Sequence, residues 1–160
     1  MPSTLPDAPM PSDCPESDHP ESECRGAGRR AVDRCDALAA FSEDPAVLDR
    51  PYLTASHRKA LDLTREWMVE AGMAARLDPA GNLIGRYEGT DPGAAAVLIG
   101  SHIDTVRDAG RYDGAVGVMI GIECVEALHK AGRRLAFAVE VIAFGDEEGS
   151  RFPASMICSR

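Results

Sequence analysis

Two apolar runs of strand length, Ala94 to Gly100 and Ala136 to Phe144, stand on either side of a helix-length segment. No other feature constrains the fold as tightly. Neither run alternates apolar with polar in the way of a half-solvated strand, so both read as strands buried on two faces. Between them, Gly114 to Lys130 places Val118, Ile122, Val125 and Leu128 at helical spacing, with Gly132 as the stop. A helix joining two buried strands is a βαβ unit with a right-handed crossover. The expected class is therefore α/β, a mostly parallel sheet flanked by helices.

In an open parallel sheet, sites form beyond the carboxyl ends of the strands. The first run ends in Gly100-Ser101-His102-Ile103-Asp104-Thr105 and leads through a glycine-containing loop to Tyr112-Asp113-Gly114. The second ends in Gly145-Asp146-Glu147-Glu148-Gly149. One sheet edge thus gathers His102, Asp104, Asp113, Glu147 and Glu148. An imidazole with several carboxylates suits Zn²⁺ or Mn²⁺. A carboxylate at a loop-to-helix junction, as Asp113 is, can bridge two ions roughly 3.5–4 Å apart, the arrangement of two-metal hydrolases. Asp104, two residues beyond His102, is placed to accept the second ring N–H and fix the tautomer. Adjacent glutamates point to opposite sides of an extended strand, so Glu147 and Glu148 converge only where the chain leaves strand geometry, a freedom Gly145 and Gly149 supply. One of the pair can then bind metal while the other stays free as a general base.

Upstream, Met73 to Leu77 and Asn82 to Tyr87 flank the turn Asp78-Pro79-Ala80-Gly81 and predict a β-hairpin. A helix is expected from Ala55 to Ala71, capped by Thr54 and ended by Gly72, with Trp67 in the core and His57 solvated near its start. Ordered chain is expected from about Ala31, where Val32, Cys35, Leu38 and Ala39 show helical spacing. The 160 residues suit one domain, residues 31–160, preceded by a disordered tail, residues 1–30. Residues 1–24 hold six of the eleven prolines and six acidic side chains without a Lys or Arg. Such a stretch cannot bury enough apolar surface to offset its ordering entropy.

Residues 1–24 account for −6 of the formal net charge of −9, and the remainder is close to balanced. Without clustered Lys and Arg, neither nucleic acid nor an anionic membrane is an expected partner. No run reaches the roughly 18–20 apolar residues of a membrane span. Five irregularly spaced cysteines and no secretory h-region fit a reduced, cytoplasmic setting. Cys14, His19 and Cys24 match no standard zinc spacing. Gly114, Gly117 and Gly121 have the wrong order for a dinucleotide fingerprint, and neither a phosphate-loop G-K-[ST] nor a G-x-S-x-G nucleophile elbow is present.

Three segments carry a resemblance across about residues 31–160. They are Gly100-Ser101-His102-Ile103-Asp104-Thr105-Val106, Gly110-Arg111-Tyr112-Asp113-Gly114, and Phe144-Gly145-Asp146-Glu147-Glu148-Gly149-Ser150-Arg151-Phe152-Pro153. In that order and separation they resemble the M20 metallohydrolases, in the branch of N-carbamoyl-amino-acid hydrolases, ureidopropionases and allantoate amidohydrolases. Gly85-Arg86-Tyr87-Glu88-Gly89-Thr90 and Arg107 to Tyr112 look most like the allantoate amidohydrolases. The resemblance implies two divalent ions, Zn or Mn, with His102 on one, Asp113 bridging, Glu148 on the other and Glu147 as general base. It implies hydrolysis of a ureido C–N bond in a small ureido or carbamoyl substrate by a homodimer. It also implies that residues 31–160 are the N-terminal part of a catalytic domain whose lid domain and later histidines lie beyond Arg160. On that expectation the isolated chain would be inactive, and a non-catalytic fragment is the rival reading. Cys158 stands where the resemblance leads one to expect a small residue such as Gly.

Overall fold

The computed structural model describes residues 21–91, 93–152, 156, 158 and 159. Residues 1–20, and with them most of the expected tail, lie outside the described residues. Three helices and four strands follow in the order α1 (Glu21–Ala39), α2 (Ala55–Glu70), β1 (Ala74–Leu77), β2 (Leu83–Tyr87), β3 (Ala96–His102), α3 (Ala115–Lys130) and β4 (Ala138–Phe144).

The α/β class and the flanking helices are as expected, but the sheet is mixed instead of mostly parallel. Its order is β1-β2-β4-β3. The hairpin pairs β1 with β2 antiparallel, β2 pairs antiparallel with β4, and only β3 and β4 run parallel. The βαβ unit is real; what its pattern could not reveal is that the hairpin inserts beside β4. The two apolar runs therefore have different fates. β4 is central and buried along most of its length, whereas β3 has a single neighbour and leaves Val97 48% and Leu98 61% exposed. A run of hydrophobic residues records apolar character, not the number of neighbouring strands.

α2 begins as the sequence predicts, with the Thr54 hydroxyl accepting the His57 backbone N–H. His57 itself is a correction. It is buried under the Tyr52 ring, 5.5 Å between centroids, because the chain preceding α2 folds back over the helix start. α1 begins at Glu21, ten residues before the first expected apolar position. Its Arg30 and Arg34 reach buried Glu123 on α3 at 2.7 and 2.8 Å, and Arg34 also meets Glu126 at 2.9 Å. Ion pairs of this kind hold α1 to α3 without leaving an apolar stripe to read. Trp67 is partly buried against the core, beneath the Arg34 guanidinium. A single apolar cluster unites Leu38, Met68, Leu83, Ile103, Ile122 and Val141 from all layers.

Candidate functional site

The parallel register sets His102 of β3 opposite Phe144 of β4, so both strands end at the same level. The chain beyond each turns into one region. His102 lies flat against Gly114, whose φ of 64° is a left-handed conformation and where a Cβ would overlap the ring. Glycine is therefore required at that junction. The Ser101 hydroxyl donates to the Gly114 carbonyl at 2.8 Å, tying the end of β3 to the start of α3.

Around the ring, Nδ1 lies 3.1 Å from the Asp104 main-chain oxygen and 3.7 Å from its carboxylate. The Asp104 carboxylate takes the Glu148 N–H at 3.4 Å, which links the loop after β3 to the loop after β4. Asp104 is fully buried, and burial pushes its carboxyl above the usual range, opposed by the neighbouring imidazole. Nε2 faces Glu147 Oε2 at 3.3 Å. With the Nδ1 proton directed to the Asp104 carbonyl, Nε2 and that carboxylate are two acceptors in contact. They repel unless a cation or a proton lies between them.

Four of the five expected site residues, His102, Asp104, Glu147 and Glu148, are thus brought together. Asp113 is not. It is exposed, and among the described residues its hydrogen bonds are through the backbone, from its N–H to Gly110 O and from Ala115 N–H to its carbonyl. Among the described residues, no three His, Cys, Asp or Glu side chains converge closely enough to hold a metal ion. The chemistry of the donors nevertheless fits a divalent cation. Asp104 Oδ1 and Glu148 Oε1 are buried acceptors without partners, next to an imidazole and a further carboxylate. Buried anionic oxygens of this kind call for a positive charge.

Residues that pattern reading passed over hold these loops in place. Buried Arg50 donates to three main-chain carbonyls, Leu38 and Ile103 at 2.6 and 2.8 Å and Phe41 at 3.2 Å, while its N–H reaches the Thr105 hydroxyl at 2.8 Å. Tyr52 packs against Gly145, where a Cβ would strike its ring, and its carbonyl accepts from Arg151 at 2.9 Å. Asn82 bonds to the chain at both Gly145 and Cys158. The only sequence signal for these three was a polar side chain bordering an apolar element.

A model of peptidase family M28 matches residues 82–159. Over 131 residues the chain is 44% identical to allantoate deiminase 1 of Glycine max, a match covering 81% of this chain and 27% of that protein. Over 134 residues it is also 44% identical to an N-carbamoyl-L-amino acid amidohydrolase of Geobacillus stearothermophilus, covering 83% and 33%. Among solved structures, a hydantoinase/carbamoylase family amidase from Burkholderia ambifaria superposes with a TM-score of 0.78 at 38% identity, over 82% of this chain and 32% of that one. The chain spans between 27% and 33% of the length of these relatives.

Proposed function

The chain belongs to the M20/M28-type hydrolases that include allantoate deiminases and N-carbamoyl-L-amino acid amidohydrolases, and from that premise we propose that the whole protein cleaves a linear ureido C–N bond. Allantoate is the proposed substrate, yielding ureidoglycine, ammonia and carbon dioxide. One observation carries the reading: the His102 imidazole and the Glu147 carboxylate meet where two parallel strands end, beside buried Asp104 and Glu148 oxygens left unpartnered. His102, Asp113 and Glu148 would hold two divalent ions, Zn²⁺ or Mn²⁺, with Asp113 shared. Such ions polarise a carbonyl and acidify water at neutral pH.

The chain's own groups divide the remaining work. Glu147, partly open to solvent beside His102, takes a proton from the attacking water as its oxygen adds to the ureido carbon. It then returns that proton to the departing ammonia, a task worth about 10²–10⁴-fold in rate, and the carbamate left on the other nitrogen loses carbon dioxide by breaking its own C–N bond, giving ureidoglycine. Asp104, shut behind the ring, fixes the His102 tautomer. Among the described residues no helix is long and apolar enough to cross a membrane, and Cys35, Cys124 and Cys158 are free. The free thiols support the cytoplasmic setting proposed.

Equal identity to the Geobacillus relative favours a second reading, hydrolysis of N-carbamoyl-L-amino acids by the same groups. The test sets ammonia release from allantoate beside decarbamoylation of N-carbamoyl-L-amino acids by the whole protein with added Mn²⁺, in wild type and Glu147→Gln. Turnover of allantoate lost in the variant supports the assignment. Turnover that survives the substitution removes Glu147 from the role of base, and preference for the carbamoyl substrate selects the second reading.

A further inference from the structure

We propose that Asn82 is the positioning residue of the glutamate loop, holding Glu147 and Glu148 toward His102 without touching the reacting atoms. The inference rests on the reading of those two glutamates as base and ligand. Its basis is where the β2–β4 ladder ends. The last paired residues are Leu83 and Ala143, so Asn82 stands one step past the ladder, at the point where β4 turns into Gly145-Asp146-Glu147-Glu148. There the side chain takes over from the backbone. Asn82 Oδ1 accepts the Gly145 N–H at 3.0 Å, and Nδ2 donates to the Cys158 carbonyl at 2.8 Å.

One buried amide therefore grips both ends of the segment 145–158. A cross-tie inside it, Met156 N–H to Asp146 O at 3.0 Å, completes the closure. Asp146 sits at φ 56°, a left-handed conformation that is unfavourable for a non-glycine residue and persists where the surroundings impose it. That left-handed turn takes the chain out of strand geometry immediately before the two glutamates. From it, Glu147 meets His102 Nε2 and the Glu148 N–H meets Asp104.

The amide is itself oriented from the other side. Asp78 accepts both the Asn82 N–H and its Nδ2, each at 2.9 Å, so the hairpin turn sets which way the amide faces. Tyr52 backs the same contact, with its ring against Gly145 and its hydroxyl donating to Ala80 O in the turn. The hairpin thus acts as an anchor for the loop that carries the chemistry.

Amide hydrogen exchange and Zn²⁺ titration calorimetry on wild type, Asn82→Ala and the swapped pair Asp78→Asn/Asn82→Asp test the proposal. The swap restores an acceptor for Gly145 and a donor between positions 78 and 82. In Asn82→Ala the Gly145 amide should exchange about tenfold faster, the worth of one lost hydrogen bond, while Val141 and Ile122 keep their protection. Zn²⁺ affinity should fall by a similar factor, and the swap should return the Gly145 protection, while the Cys158 carbonyl stays without its donor. Unchanged Gly145 exchange, or equal acceleration at Val141 and Ile122, overturns the proposal, as does a folded swap that leaves Gly145 unprotected. If wild type takes up no Zn²⁺, the cation reading of the site fails, and the exchange comparison alone decides the role of Asn82.

Discussion

Two stretches of chain leave β3 in succession and differ in almost every physical respect. Residues 102–105 are buried without a break, and every turn of them is bonded to another part of the molecule. Residues 106–113 follow directly and are exposed apart from Ala109. They are tied by the Ala109 N–H to Leu48 O at 3.3 Å and by side-chain contacts at the surface, Arg107 to Asp44 at 2.7 Å and Arg111 and Tyr112 to Asp36 at 3.4 Å each. Exposed pairs of that kind contribute little to stability. The first stretch delivers His102 and Asp104 to the site already placed. Asp113, on the second, is exposed, with its backbone bonded to Gly110 and Ala115. Under the proposed reading, a ligand set that looks uniform in sequence is therefore held firmly at His102 and loosely at Asp113.

The hardest blow to this contrast comes from Arg50, which holds the locked stretch. Arg50→Ala leaves carbonyls of Leu38, Phe41 and Ile103 without their donor, and the expected loss is roughly 3–5 kcal/mol by denaturant unfolding. A loss under about 1 kcal/mol would show that the stretch is held by something else.

Acid should act on the same locked side. Burial, reinforced by nearby Arg50, pushes the His57 imidazole down to about 4 from 6.5. Between those values the unfolded chain binds a proton that the folded chain refuses, so stability is present above pH 6.5 and is lost as the pH falls. The loss between pH 7 and 5 is about 2 kcal/mol. His57→Leu should flatten that part of the stability curve relative to wild type, and an unchanged slope would remove His57 from the account.

On the open side, Asp113→Ala should change unfolding free energy by no more than about 0.5 kcal/mol in the absence of metal. A cost comparable to that of Arg50→Ala would erase the distinction between the two stretches.

Much of this frame was legible before any coordinates. The hairpin announced itself by Asp78-Pro79-Ala80-Gly81, and α2 by Thr54 and Gly72, because caps and turns are local chemistry. The convergence of His102 with Glu147 and Glu148 followed from two strands ending in polar clusters. What stayed hidden depends on contacts distant in sequence. The edge position of β3 is decided by the hairpin inserting beside β4, and the burial of His57 by Tyr52 folding back. Asn82 offers only a polar residue at a strand start; its function depends on Gly145, 63 positions later. The docking of α1 on α3 draws on Glu123 and Glu126, charged residues that an apolar count passes over.

The central claim is that the ends of β3 and β4 form one cation-binding edge, fixed at His102 and the glutamates and completed by Asp113. Its most direct test is the amide NMR spectrum of the chain during titration with Mn²⁺, whose unpaired electrons broaden nearby signals. The amides of His102, Glu147 and Glu148 should broaden first, with Asp113 among them, and His102→Ala should demand more Mn²⁺ for the same effect. Broadening confined to the acidic residues of 1–24, with His102 and both glutamates sharp throughout, would contradict the claim.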